Sequence, residues 1–578
     1  MLILYNGIIR TIARARHTVQ AVAVENGKIT AVGSDAEILA LRGAGCRAIN
    51  LCGRLALPGF HDSHTHLATT GAQAKKLDLS DAATVDDVIG RVKKHIENNG
   101  IRPGEWVEAS GLDDTGFREP PGRVMFDKIS PDHPIVISRH CRHTAYVNSM
   151  ALKLALGEIS SRAPKNTEAC LDNGVFGLQI NNNIKTGVLH EGDMDIVFKL
   201  LPRASVADIQ QNILAASNCM LRHGITTVHS NDTSAGDIKY CQAFGNTGGI
   251  AINGSGIVGC DAGSEAGGGL NAAACDADDI AEGGSGAAFA AFRGLDGRLP
   301  LRVYEITTIN SLEEARSFIN SAEERPNTSF YTNRCVKLLL DGSLGARTAY
   351  LSKPYCDAPG NTGIKHYEQA ELDEIIEYVD SAGWQLAFHA IGDGALGQIL
   401  AGMARIKNVA RNRHRIIHCQ IGNDEQYKQI KEFGLCVDAQ PAFVYSDAPI
   451  ISSRVGPALA ESSYAWRTLT RLGIPVGFGS DSPIEPFNPL WGIYCAVSRP
   501  GYKPGARDER MGVEEACYCY TAGAAHLAFK ECESGRIAPG MYADIVVLDK
   551  DIFSAATDEI NTAKPEIVII NGVVYELQ

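Results

Sequence analysis

Eight short apolar runs alternating with helix-period segments predict an α/β chain whose parallel strands close a TIM (β/α)8 barrel. The runs are residues 57–66, 224–229, 301–304, 335–340, 385–389, 415–418, 435–438 and 476–481. Two further observations complete the prediction. Both chain ends carry hairpin texture, which predicts one small β-sandwich built from the N- and C-terminal segments. Mixed strand and helix patterns between the first two barrel runs predict an inserted α/β subdomain.

The N-terminal half of the sandwich is read over 1–57. Leu2-Ile3-Leu4-Tyr5 meets Asn6-Gly7, and Ala21-Val22-Ala23-Val24 meets Asn26-Gly27 before Ile29-Thr30-Ala31-Val32. Asn-Gly between such runs signals a hairpin. The C-terminal half is read over 535–578, with a strand at Asp544 to Leu548 and a hairpin around Asn571-Gly572. Neither half has enough apolar surface to stand alone, so the two are expected to pair.

The barrel domain is read over 58–534, with the inserted subdomain at about 80–215. There Thr84 precedes a helix whose apolar stripe is Val88, Ile89, Val92 and Ile96. Trp106 to Ala109 and Pro134 to Ser138 read as strands, and Val206 to Leu221 as a helix. Residues 245–286 are rich in Gly and Ala and hold no Lys or Arg. They read as a flexible insertion or a lid; Asp276-x-Asp278-Asp279 lacks the spacing of a calcium loop.

Composition narrows the function classes. A chain of 578 residues with 45% hydrophobic and 21% charged residues is an ordinary multidomain globular protein. Its net charge of −13 leaves no basic stripe for phosphates, so neither nucleic acid nor a membrane surface is an expected partner. No run of 18 apolar residues and no signal-peptide pattern is present, and the 16 cysteines form no zinc-ribbon pairs. Reduced core thiols and a cytoplasmic location are expected.

The chemistry starts at Pro58-Gly59-Phe60-His61-Asp62-Ser63-His64-Thr65-His66. On a strand continuing from Leu55-Ala56-Leu57, alternation puts His64, His66 and Asp62 on one face and His61, Ser63 and Thr65 on the other. Two imidazoles about 7 Å apart along a strand can converge on one ion. Other barrel runs also carry a potential ligand near the C-terminal end: Lys337, His389, His418 and Asp481. Taken singly, each has a plainer role. Lys337 could pair with a carboxylate, His389 and His418 could be hydrogen-bonded core residues, and Asp481 could be a turn residue or a helix cap. Recurrence at the same end of strand after strand, where TIM barrels place their active sites, is what those roles leave unexplained.

These segments resemble the amidohydrolase superfamily. Pro58-Gly59-Phe60-x-Asp62-x-His64-x-His66 is similar to its first-strand metal motif. Val336-Lys337 to Thr348, His389-Ala390-Ile391-Gly392-Asp393, Arg415-Ile416-Ile417-His418-Cys419-Gln420 and Gly479-Ser480-Asp481-Ser482-Pro483 resemble the branch holding N-substituted formamide deformylases and related metal-dependent hydrolases. So do His143 to Ser149 and Gly535 to Asp544. His61, Ile417 and Gly394 depart from the pattern, and alternation turns His61 away from the metal face, as a packing residue.

The resemblance implies a hydrolase of carbon–nitrogen bonds other than peptide bonds, acting on a small molecule: an amide, an N-substituted formamide or a cyclic amide. It implies one or two divalent ions, with zinc the expected metal. His64, His66 and Asp481 would hold one ion, and His389 and His418 a second. Lys337 would bridge them as a carbamate made from CO2, because an ammonium has no lone pair to offer. A bound ion brings the pKa of water to about 7, and Asp481 would serve as general base. His143 and Arg347 are candidate substrate contacts, with structural hydrogen bonding as the alternative. A homodimer is the assembly suggested. Other readings are a metal-dependent deaminase, disfavoured by Lys337, and a non-catalytic scaffold of the same fold, disfavoured because every ligand position is filled.

Overall fold

The computed structural model describes residues 1–13, 17–114, 116–117, 121–139, 144–162, 186–190, 194–235, 299–322, 327–407, 409–499, 501 and 507–577. The insertion expected at 245–286 and His143 lie outside them. The described residues form two units, one holding 1–71, 206–235 and 299–577, the other falling within 72–205. Among the described residues, no helix is long and apolar enough to cross a membrane.

The first unit is built on the barrel. Its strands are β1 (Phe60–Thr65), β2 (Ile225–Ser230), β3 (Arg302–Thr308), β4 (Tyr331–Leu339), β5 (Gln385–Ala390), β6 (Arg415–His418), β7 (Cys436–Ala439) and β8 (Val476–Phe478). They form one eight-stranded sheet in chain order, every neighbouring pair parallel. Helices such as Val206–Arg222, Gln369–Ser381 and Asp424–Phe433 connect successive strands. A strand covered on both faces needs apolar residues on both, so these segments read as nearly continuous apolar runs. The sheet is closed just past β8: the Asp481 N–H donates to the His64 carbonyl (2.6 Å) and the His66 N–H to the Ser482 carbonyl (2.8 Å).

Inward alternation gathers Tyr304, Ile306, Cys335, Ala387 and Ile417 into the barrel interior. A fully buried ion pair, Arg415 with Asp438 at 2.9 Å, shares that interior. Arg415 also donates to the Ser63 carbonyl (3.1 Å) and contacts His229 Nδ1 (3.1 Å), and Ser63 donates to Asp438.

One expectation is corrected. Leu55-Ala56-Leu57 does not begin the first barrel strand. Leu55–Pro58 is a strand of a different sheet, antiparallel to Ile545–Leu548, and β1 starts at Phe60. The bend falls at Gly59, where a Cβ would come within 2.3 Å of the Thr226 side chain. Only glycine passes that close, and periodicity cannot separate two consecutive buried strands.

The chain ends form two sheets. One has four strands: Lys28–Gly33, Ala21–Glu25, Leu2–Tyr5 and Arg47–Asn50. The other has six and mixes both ends: Val573–Glu576, Pro565–Ile570, Ile545–Leu548, Leu55–Pro58, Ile8–Arg10 and Thr18–Val19. Their facing side chains make one core, in which Leu4, Val22 and Ile29 pack with Ile545, Val547 and Ile569. Asn26-Gly27 and Asn571-Gly572 turn hairpins, with positive φ at all four residues. Asn6-Gly7 does not: Leu2–Tyr5 and Ile8–Arg10 lie in different sheets, so this dipeptide carries the chain from one to the other.

The second unit has a five-stranded sheet in the order Val188–His190, Thr144–Val147, Ile135–Arg139, Val107–Leu112 and Leu77–Asp78. Its helix Val85–Asn99 starts at Thr84, whose side chain accepts from the Asp87 N–H, and ends at Gly100 in the left-handed region. Val88 and Val92 are fully buried, with Ile89 and Ile96 packed beside them.

Candidate metal centre

His64 lies within β1 and is fully buried; His66 is the first residue beyond Thr65. Both reach one atom: His64 Nε2 and His66 Nε2 are each 3.3 Å from Asp481 Oδ1. Asp481 follows β8 on a turn with a left-handed backbone (φ 60°). Asp62 holds that turn, accepting from the Ser480 N–H (3.0 Å), the Ser480 hydroxyl (2.5 Å) and the His64 N–H (3.2 Å). Gly479 lets the turn pass β1, since a Cβ there would come within 2.4 Å of the His64 nitrogen.

Lys337 points inward from β4, with Nζ 3.3 Å from His64 Nε2. His389 and His418 leave the ends of β5 and β6, and His389 Nδ1 is 3.0 Å from His418 Nε2. His418 is also left-handed (φ 74°), a conformation costly for a non-glycine residue and frequent at functional sites. One nitrogen each from His64 and His418 and one oxygen of Asp481 lie within 4.8 Å of one another. The fold thus brings His64, His66, Lys337, His389, His418 and Asp481 together at the C-terminal mouth of the barrel.

The hydrogen bonds behind the imidazoles decide which nitrogens are bare. Gln440 Nε2 donates to the Asp438 carbonyl (3.1 Å), which turns its Oε1 to His418 Nδ1 at 2.7 Å. An amide oxygen only accepts, so His418 carries its proton on Nδ1 and leaves Nε2 bare. His389 Nε2 faces the Gly342 carbonyl (3.3 Å) and Asp341 Oδ1 (3.5 Å), both acceptors, so its Nδ1 is bare. Two lone pairs therefore face each other across 3.0 Å. Unscreened, they repel; a cation held between or beside them reverses that sign. The donor set fits a divalent metal, for imidazole nitrogen and carboxylate oxygen suit zinc and several other ions.

The electrostatics agree. Burial drives His64 and His389 well below the usual imidazole range, and Lys337 reinforces the effect on both. Burial takes His418 down to about 4, so these rings are neutral near pH 7. Burial would raise Asp481, but its contacts with His64 and His66 outweigh it and hold the carboxyl well below its ordinary value. Burial lowers Lys337 to about 8, against the pull of Asp481 and Asp438.

Other candidates lie elsewhere. Arg347 gives Nε and Nη2 to Asp357 at 3.1 and 3.0 Å, and Asp357 also pairs with Arg454 at 2.6 Å. Its guanidinium is engaged in the structural hydrogen bonding weighed as its alternative. His61 is buried, its ring 6.4 Å from that of His229. Sequence reasoning missed Gln440 and Asp341. Gln440 had a usable signal, because alternation from Cys436 and Asp438 points it inward just beyond β7.

Comparison with known proteins bears on this geometry. The profile of the amidohydrolase family matches residues 47–575. YtcJ of Bacillus subtilis (strain 168), a protein bearing an amidohydrolase name, is 29% identical over 99% of this chain and 99% of its own. The N-substituted formamide deformylase of Arthrobacter pascens is 23% identical over 100% of this chain and 98% of its own. The crystal structure of an uncharacterized metal-dependent hydrolase from Pyrococcus furiosus has a TM-score of 0.71 at 28% identity, covering 96% of this chain and 100% of that one.

Proposed function

The chain belongs to the amidohydrolase family of metal-dependent hydrolases, and from that premise we propose that it cleaves a carbon–nitrogen bond in an amide, an N-substituted formamide or a cyclic amide. The observation that carries the reading is the pair of bare nitrogens on His389 and His418, 3.0 Å apart and beside Lys337 and Asp481. The full-length likeness to an N-substituted formamide deformylase supports the formamide option.

His64, His66, His389, His418 and Asp481 would hold one or two divalent ions, with zinc among the metals that suit this set. Such an ion brings the pKa of water to about 7 and polarises a carbonyl oxygen. The chain's own residues do the rest. Asp481, ionised and with 11% of its side chain still exposed, accepts a proton from the attacking water and returns it to the leaving nitrogen. Lys337 enters as the neutral amine, and with CO2 its Nζ forms a carbamate, releasing one proton and presenting two anionic oxygens. Gln440 and Asp341 keep His418 and His389 in the tautomers that turn a lone pair to the centre.

The test is a screen of N-formyl, N-acyl and cyclic amides with zinc-reconstituted protein. Release of an amine and an acid from at least one of them is expected. Metal-loaded protein inert towards all three classes would overturn the reading.

A further inference from the structure

We propose that the substrate carries an uncharged alkyl or aryl substituent of several carbons, received by apolar side chains spaced round the barrel mouth: Leu339 on β4, Phe443 beyond β7 and Ile484 beyond β8. This deepens the reading of the site as a hydrolase of carbon–nitrogen bonds and rests on it.

Large apolar side chains left exposed beside a reaction centre are informative in a way that scattered ones are not. Leu339 is two residues beyond Lys337 on β4, so it shares the inward face, and it lies in register with His389. An inward residue at the top of a barrel strand has only the mouth to face, and Leu339 is 40% exposed. Ile484 follows Asp481 on the same turn, its N–H bonded to the Asp481 carbonyl at 2.9 Å, and is 51% exposed. Phe443, on the short helix Phe443–Asp447 after β7, sets its ring edge-on to His418 at 6.0 Å. Tyr445, two residues further on, points to the other side of that helix and packs on Trp491, with ring centroids 5.3 Å apart. Ser446 donates to Glu485, which ties the helix bearing Tyr445 to the turn bearing Ile484.

Leu339, Phe443 and Ile484 thus lie beside Lys337, His418 and Asp481 respectively and offer dispersion and desolvation. A buried methylene is worth about 0.8 kcal/mol, roughly a fourfold gain in binding. Apolar pockets discriminate by increments of this kind.

The probe is a series of linear alkanohydroxamic acids, from acetohydroxamic to octanohydroxamic, titrated by calorimetry into zinc-loaded full-length protein. The hydroxamate anchors on metal whether or not the enzyme cleaves amides. We expect Kd to fall roughly two- to fourfold per methylene over the first four. In Leu339→Ser and Ile484→Ser, both at exposed positions, that slope should flatten. A Kd independent of chain length, no measurable binding, or an unchanged slope in both variants overturns the proposal. A steep slope in a protein that cleaves none of the screened amides retains the apolar mouth and removes the carbon–nitrogen reading instead.

Discussion

The orientation of His418 rests on a single amide at 2.7 Å, and that of His389 on a carbonyl and a carboxylate at 3.3 and 3.5 Å. Removing such partners typically costs 10–100-fold in metal affinity. Gln440→Leu and Asp341→Asn should each weaken zinc binding by roughly that factor in a chelator competition; unchanged affinity in both would contradict the assigned tautomers. Asp481→Asn keeps the shape and loses the base, so kcat should fall about 10²–10⁴-fold. Near-normal turnover would remove Asp481 from that role. His61 makes a different prediction. Burial, opposed by the charge of Asp544, lowers it from 6.5 to about 4, and neither ring nitrogen has a hydrogen-bond partner among the described residues. A histidine held neutral in the fold contributes stability that is complete above pH 6.5 and is lost as pH falls towards 4. Between pH 7 and pH 5 the native state should lose about 2 kcal/mol through this one group. His61→Leu should shrink that loss in urea unfolding; identical pH slopes would contradict it. At this scale the sequence was informative where a residue type is rare in its setting: a histidine or lysine ending an apolar strand stands out. Asp341 did not, because a carboxylate after a strand serves turns, caps and ion pairs alike, and here it also accepts from the N–H groups of Tyr350, Ile391 and Gly392.

Among the elements, the eight barrel strands were legible because each is covered on both sides and too short to be a helix. The boundary at Gly59 was not, since Leu55–Pro58 and β1 are equally buried and only the partner strand distinguishes them. Asn6-Gly7 misled for a related reason: the dipeptide specifies a left-handed turn, with φ 57° at Asn6, but not that the strands on either side pair. The bend at Gly59 can be tested. Gly59→Ala drives a methyl into Thr226 and should cost about 1–3 kcal/mol as overpacking. Thr226→Ala removes two of the crowding atoms and should recover part of that loss in the double variant. Strict additivity of the two would show that the contact is not what excludes a side chain.

For the molecule as a whole, the barrel and the terminal sheets are joined by a buried ion pair that crosses from β3 to the C-terminal segment. Arg302 reaches Asp544 through Nε at 2.7 Å and Nη2 at 3.2 Å, with both side chains under 10% exposed, and its guanidinium lies 3.7 Å over the Tyr542 ring. Breaking a buried pair strands a charge, so Asp544→Ala should destabilise by about 3–5 kcal/mol in urea unfolding. A change under 1 kcal/mol would mean the two parts do not depend on this contact. The architecture was legible at this level because the hairpin signals at both ends are incomplete without each other. Asp544 and Arg302 lie 242 residues apart, and nothing in the local pattern links them.

The claim on which the rest depends is that His64, His66, His389, His418 and Asp481, from four strand ends, hold a metal at the barrel mouth. Anomalous diffraction from crystals grown with zinc tests it directly. One or two peaks are expected about 2.0–2.2 Å from nitrogens of His64, His66, His389 and His418 and from an oxygen of Asp481. Density without a peak at that mouth, or zinc bound only elsewhere on the chain, would contradict it.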